Sequence, residues 1–476
     1  MKPKATLLHL LALAGSSLLA VTSASAADLT WDITPGTVGV GDGSITGGTG
    51  TWNTTNGNWT ADGGANNIAW NNANNDNAVI AGTATITIGV PVTTGTLTFT
   101  SSSVAGRTLS GSEITINNGM YLERLSSLNW TAPIKLGGSQ TWTHNQINSN
   151  STGKNITGTT NLNGSTLTWD MTNVQSNNRI NHQNITGSGS IIKNGTGWLG
   201  LGGTNAYTGS TTINAGTIDA VSSTALGNAN NQLTVNTGGT LNIAGNFGLT
   251  VGNLTGTGGV ITTTGGNTNT RTLTVGSGDA TGGNFQGQIS DGSAPTALTK
   301  TGNGTITLSG TNTYSGDTTV SAGTLYVTGA LSNSAATVEA NGTVGSNGST
   351  GSLGNGLTIE AGGNLDLTGA TLGLNSTGIL NLTGGSLTLG NLTFQDLVGW
   401  DWANASAGTY ELIDGAFTID WGSTAYLSEG TAYDFGNGNK GYFTSGSLNA
   451  VIVAIPEPRA ALLGGLGLLA LLRRRR

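Results

Sequence analysis

The side chains of this sequence able to do chemistry are few and far apart. Of its three histidines, His144 and His182 lie in the body of the chain amid Asn and Gln. A zinc site needs further His or carboxylate ligands at usable spacing; none accompanies them, so both are expected to be solvated turn residues. Asp401, Asp414, Asp420 and Asp434 could supply the two acids of glycoside hydrolysis, but such a pair must flank a bond in three dimensions, and solvated acids are the expectation. The repeat region offers only Lys193, Arg271 and Lys300 as cationic partners for an acid–base site. With no cysteine, a disulfide framework, a zinc–thiolate site and a thiol nucleophile are excluded. No catalytic, cofactor-binding or metal-binding residue is assigned, and no cofactor is expected.

The elements that would position these groups are β-strands. Eighty of 476 residues are glycine and 8% are charged, with Asn and Thr abundant, all poor helix formers. The glycines follow no three-residue period, which excludes collagen, and low charge argues against ordinary disorder. The formal net charge of −7 includes Lys2, Lys4 and Arg473–Arg476 at the two ends; without them the body is distinctly acidic. Nucleic acid is therefore not an expected partner, because its binding needs Lys and Arg to displace counterions.

Two stretches repeat. Residues 191–221 and 298–327 align Lys193 with Lys300, Gly195 and Gly197 with Gly302 and Gly304, and Leu201 with Leu308. Asn205, Tyr207 and Gly209 likewise align with Asn312, Tyr314 and Gly316, and Ala215-Gly216-Thr217 with Ala322-Gly323-Thr324. Alternating apolar residues mark half-buried strands, and the glycines mark corners where the chain turns sharply or takes φ > 0. Trp198 and Gly200 break the alternation, so the second strand of the first copy should be the weaker. A looser echo follows each copy, Leu233–Gly245 and Leu357–Gly369. One such unit cannot bury its own apolar face and needs neighbours stacked on both sides. Coils of about 20 residues would give on the order of 20 rungs and a rod near 100 Å long, with corner asparagines stacking as amide ladders.

This unit resembles the autotransporter-associated β-strand repeat, also called the passenger-associated transport repeat, with its Lys-x-Gly-x-Gly, Asn-x-Tyr-x-Gly and closing Gly-x-Leu. The resemblance implies an all-β protein, a right-handed parallel β-helix, in an exported chain, and implies no enzyme activity. The expected organisation is a signal peptide at 1–26, a Trp-rich N-terminal cap at 27–101, a β-helix at 102–399, a C-terminal β cap at 400–454 and a sorting signal at 455–476. In the first cap Trp52, Trp59 and Trp70 could form a sugar-stacking platform, but closing the open end of the stack is the favoured role.

The two ends read as processing signals. Lys2 and Lys4, the apolar run from Leu7 to Ala20 and the small residues Ala24-Ser25-Ala26 make a secretory leader. Signal peptidase would cut there, leaving Ala27 or Asp28 first. At the other end Pro456-Glu457-Pro458 precedes an apolar run, Ala460 to Leu472, closed by Arg473, Arg474, Arg475 and Arg476. As a helix that run spans about 20 Å against a hydrocarbon core of about 30 Å, a short stop with its arginines on the cytoplasmic side. This tail resembles the PEP-CTERM sorting signal of Gram-negative bacteria that make extracellular polysaccharide. The resemblance implies transient anchoring through 460–472, then recognition of Pro456, Glu457 and Pro458 by an exosortase and release toward the surface or matrix. It leaves no room for an outer-membrane barrel, so self-translocation is not expected. The resulting expectation is an exported, non-enzymatic surface or matrix protein in contact with extracellular polysaccharide or other cells. A β-helical polysaccharide lyase or glycosidase is the alternative.

Overall fold

The computed structural model describes residues 26–454, apart from 35, 101, 124, 146–152, 173–178, 266–267, 348–350, 368–379, 383–385, 416 and 445–446. The chain winds as a parallel β-solenoid of about 12 turns. Each short strand exposes its Thr, Asn and Ser and buries its Leu, Ile and Val, as in Thr305–Leu308, where Ile306 and Leu308 are buried and Thr305 and Thr307 are not. Every inward row meets the same row one coil away, so a continuous apolar column fills the centre.

Three columns of parallel strands surround this core. The first runs from Asp28–Trp31 through Asn77–Ile80, Val92–Phe99 and Ile114–Glu123 to Ile191–Asn194, Thr211–Ile213 and Leu233–Val235. The second begins at Gly48–Trp52 and Ala84–Ile88 and passes through Trp198–Gly202 and Gly216–Ala220 to Gln288–Ile289. The third is continuous from Leu249–Val251 through Arg271–Val275, Thr296–Lys300, Thr318–Val327, Ala336–Gly345 and Leu357–Ile359 to Ser386–Leu389 and Thr418–Asp420. Earlier coils contribute shorter strands, Ile134–Leu136, Thr160–Asn161 and Ile185–Thr186, to this side.

The rod has fewer rungs than the order of 20 expected, because its coils are uneven and often long. Partners on adjacent coils lie 20 and 22 residues apart beside the first repeat but 27 apart between Thr166 and Ser139. The rod is correspondingly shorter than 100 Å. The strand Trp198–Gly202 is not weaker than its counterpart: it pairs with Ile180–Gln183 on one side and Gly216–Ala220 on the other.

Both ends are closed by antiparallel strands, which remove the open edge a parallel stack would present. At the start, Trp59–Thr60 pairs antiparallel with Asp28–Trp31, and Asn67–Ile68 with Trp59–Thr60. At the finish, Gly408–Asp414, Leu448–Ala454, Asn439–Thr444 and Tyr433–Asp434 follow one another antiparallel. Among the described residues no helix is long and apolar enough to cross a membrane; the run 460–472 lies outside them.

Candidate functional site

The histidines are where the structure most plainly corrects the sequence reading. Neither is a solvated turn residue: His144 and His182 are both fully buried on strands. In Ile180–Gln183 the alternation places Ile180 and His182 inward and Asn181 and Gln183 outward. In Gln140–Asn145, Gln140, Trp142 and His144 point inward together. Trp169 Nε1 donates to His182 Nδ1 at 3.3 Å, so the proton sits on Nε2, which faces Thr160 Oγ1 at 2.8 Å. Trp142 stacks on the ring at 5.5 Å between centroids. Burial pushes the His182 pKa down to about 3, so the ring is a neutral core group. Among the described residues no cluster of three His, Cys, Asp or Glu could hold a metal ion.

The polar residues shared by the two repeats also turn inward, and each clips one coil to the next. Lys193 Nζ donates to the carbonyls of Asn194 at 2.6 Å, Gly195 at 2.7 Å and Ala215 at 3.3 Å. Lys300 does the same to Thr301, Gly302 and Ala322 at 2.7, 2.9 and 3.0 Å. In each set the first two carbonyls belong to the lysine's own corner and the third to the following coil. Burial lowers these ammonium pKa values to about 7 for Lys193, opposed by Asp170, and to about 8 for Lys300, opposed by Asp279.

The repeat asparagines bridge coils in both directions. Asn205 Oδ1 accepts from the Ile185 amide at 2.8 Å while its Nδ2 donates to the Ala225 carbonyl at 3.0 Å. Asn312 accepts from Ile289 at 2.9 Å and donates to Ala330 and Gly310, both at 3.2 Å. An amide side chain thus replaces a missing rung of backbone hydrogen bonds, which a buried corner cannot leave unmade. Tyr207 and Tyr314 are buried with their hydroxyls on Thr211 and Thr318 at 2.5 and 2.6 Å. The corners close on Gly216 and Gly323, at φ 68° and 63°. A Cβ on Gly323 would lie 2.4 Å from the Gly302 carbonyl oxygen.

The N-terminal tryptophans are packed rather than presented. Trp31, Trp52, Trp59 and Trp70 are essentially fully buried, with centroid separations of 4.6–5.2 Å among them. Their faces are spent on one another, so they close the end of the core and leave no stacking platform for a sugar.

The carboxylates of the C-terminal end serve local turns. Asp401 accepts from the Asn404 backbone and side chain, Asp420 from the Gly422 amide and Asp434 from the Gly436 amide; Asp414 ends the strand Gly408–Asp414. Trp400, Asp401, Asn404, Ala405, Ser406 and Tyr410 line an open cleft of about 410 Å³, in which the Tyr410 hydroxyl already donates to the Ser406 carbonyl at 2.6 Å.

Outward, the rod presents ordered rows of amides and hydroxyls. Asn214 Nδ2 donates to Asn194 Oδ1, and Asn236 Nδ2 to Asn214 Oδ1, each at 2.9 Å. Thr257 then donates to Asn236 Oδ1 at 3.4 Å, so three coils share one amide ladder. Of the processing residues, Ala24, Pro456, Glu457, Pro458 and Arg473–Arg476 lie outside the described residues. Ala26 and Ala27 are described, and the Ala27 nitrogen donates to Asp76 Oδ1 at 2.9 Å.

The Passenger-associated-transport-repeat model matches residues 191–220 and 298–327. The chain is 29% identical over 235 residues to the "Adhesin BmaC autotransporter" of Brucella suis biovar 1 (strain 1330). That alignment covers 48% of this chain but 5% of the adhesin, so it reaches a small part of that protein's length. No solved structure matches the chain. Two passenger-associated transport repeats therefore stand in this parallel β-solenoid, and nearly half of the chain is similar to a segment of an autotransporter adhesin.

Proposed function

We propose that this chain is an exported, non-catalytic surface or matrix protein that attaches by many weak contacts along its rod. One observation carries the reading: the lysine and asparagine that the two repeats share are consumed in clipping coils together, while the faces left to solvent are dominated by Thr, Ser and Asn. Such a surface lacks a centre for bond making but offers the same hydrogen-bonding groups coil after coil. Repetition converts weak contacts into retention. The likeness to an adhesin segment supports an attachment role.

The route out of the cell belongs to the same proposal. Signal peptidase cuts after Ala26 or Ala27, the run 460–472 holds the chain briefly in the inner membrane, and an exosortase acts at Pro456-Glu457-Pro458. Extracellular polysaccharide is the proposed partner. The test combines fractionation of cells, matrix and medium with mass spectrometry of both termini, and compares attachment of the producing cells with and without the gene. The expected result is a chain beginning at Ala27 or Asp28, lacking Arg473–Arg476, found in the surface or matrix fraction and needed for attachment. A chain kept in the cytoplasm with its four arginines, or full attachment without the gene, would sink the reading.

A further inference from the structure

The third strand column carries a feature that neither repeat predicts. Its registers place Thr250 beside Thr274, Thr274 beside Thr299, Thr299 beside Thr319 and Thr319 beside Thr337. Thr337 then lies beside Thr358 and Thr358 beside Thr388. Seven successive coils therefore set a threonine at one outward position, each between two buried residues, as in Leu357-Thr358-Ile359; all of these are apolar except Thr318 beside Thr319 and Lys300 beside Thr299, which contributes its buried stem. The rungs of a parallel sheet are about 4.8 Å apart, so the row runs about 29 Å along the axis.

Strand propensity alone does not account for the row. Threonine is favoured in strands, yet the corresponding outward line of the second column reads Thr85, Thr108, Asn129, Asn155, Asn181, Gly200, Asp219 and Asn242. There the side chains bond one another, Asn181 to Asn155 at 3.0 Å and Asn242 to Asp219 at 2.7 Å. Threonines used by the fold have named partners, such as Thr211 and Thr318 on the buried tyrosines. None of the seven row hydroxyls hydrogen-bonds to protein among the described residues, and all seven side chains are partly exposed. Their donors and lone pairs face solvent at a fixed step.

We infer that this threonine row is a binding track for a single extended, uncharged β-linked polysaccharide chain lying along the solenoid axis. A hydroxyl both donates and accepts, as sugar hydroxyls do, and the threonine methyl beside it meets the C–H face of a sugar ring. The neighbours on either side are mostly small, including Gly276, Ala297, Ser321, Ala335 and Gly390, so a chain can lie down without steric interruption. The solvent-facing charged neighbours Asp317, Glu339 and Glu360, and Asp420 next in register after Thr388, are acidic, while the adjacent Lys300 is buried with its ammonium on backbone carbonyls, which disfavours an anionic glycan. One row fits a linear ligand; a two-dimensional lattice such as an ice face would need a second matching row alongside. The track deepens the attachment reading and rests on it for its setting outside the cell.

The test compares the purified chain with Thr299→Val/Thr319→Val/Thr337→Val, which keeps the β-branched shape and removes three hydroxyls. Thr85→Val/Thr87→Val, exposed on the second column, is the control. Probes are insoluble β-1,4-glucan, β-1,3-glucan and chitin, with alginate as the anionic comparison and ice shaping as the lattice comparison. The expected result is binding to at least one neutral β-linked glycan, weakened about tenfold or more in the triple variant and unchanged in the control, with identical circular dichroism and melting. Equal binding by the triple variant overturns the track and leaves the attachment function standing. Binding to alginate alone, to ice alone or to no glycan also overturns it; cell attachment, measured separately, then decides the broader reading.

Discussion

Replacing Asn312 tests whether the repeat asparagine is a coil-to-coil clip. In Asn312→Leu the buried Ile289 amide loses its acceptor and the Ala330 carbonyl its donor. Each orphaned buried group costs about 1–3 kcal/mol, and the larger apolar side chain returns about 1–2 kcal/mol of that. With two such groups orphaned, the central values leave a net loss of about 2.5 kcal/mol, read as a lower midpoint in equilibrium urea denaturation. Because a solenoid's stability is a sum of neighbour terms, the Ile289 amide should also lose protection in hydrogen exchange while coils around Asn205 keep theirs. Asn312→Asp sharpens the test. The carboxylate can still accept from Ile289, but its other oxygen faces the carbonyls of Gly310 and Ala330. That contact and burial raise its folded pKa above the unfolded value of about 3.9. A raised acid pKa favours the fold at low pH, so the variant should match wild type best near pH 4 and lose stability as pH rises toward neutrality. The clip is refuted if Asn312→Leu costs under about 1 kcal/mol, or if Asn312→Asp shows no such pH dependence relative to wild type.

Four further outcomes are expected. Lys193 and Lys300 have folded pKa values below their unfolded value, so the unfolded chain binds more protons and stability should rise as pH climbs from about 7 toward 10; melting scans of Lys193→Met/Lys300→Met should lose that rise. Above pH 10 the buried Tyr207 and Tyr314, whose pKa burial raises, should reverse the trend in both proteins. His182, with a folded pKa of about 3, contributes stability that is present above pH 6.5 and lost as pH falls toward 3, so His182→Phe should flatten that limb of the denaturation profile. Gly323→Ala, at φ 63° and against the Gly302 and Gly304 carbonyls, should lower stability by about 2 kcal/mol or more by strain and clash, measured by the urea midpoint.

Much of the architecture was legible in the chain because a solenoid writes its rules locally. Apolar alternation gave strands, glycine gave corners, and aligned copies gave stacking; the amide ladder Asn194–Asn214–Asn236 follows from the same spacing. What escaped depends on loop length. The turn number falls below that expected because many coils exceed about 20 residues, as between Ser139 and Thr166 and between Leu273 and Leu298. The histidines were misplaced by their Asn and Gln neighbours, although counting in twos from Ile180 or Trp142 would have put both rings inside. The threonine row was invisible since Thr337, Thr358 and Thr388 are unevenly spaced in the chain and meet only once the loops between them are closed.

The placement of the two repeats argues that their shared residues serve folding rather than recognition. Lys193 lies in the first column, on Ile191–Asn194, whereas its counterpart Lys300 lies in the third, on Thr296–Lys300. Leu199 lies in the second column; its counterpart Ile306 pairs with Gly283 in the strand that the bridge Gly256–Phe285 joins to the first. The copies therefore stand one column apart around the axis. A repeated ligand site would need both copies to present one face to one partner, and these cannot. Their common chemistry, the lysine on three carbonyls and the asparagine between two coils, works identically at either angle because its targets are the adjacent coils. The threonine track obeys the opposite logic: it crosses the second copy at Thr299 and Thr319, yet the matching positions of the first copy hold Ile192 and Thr212 in another column. Recognition on this rod thus belongs to a column, and stability to a repeat.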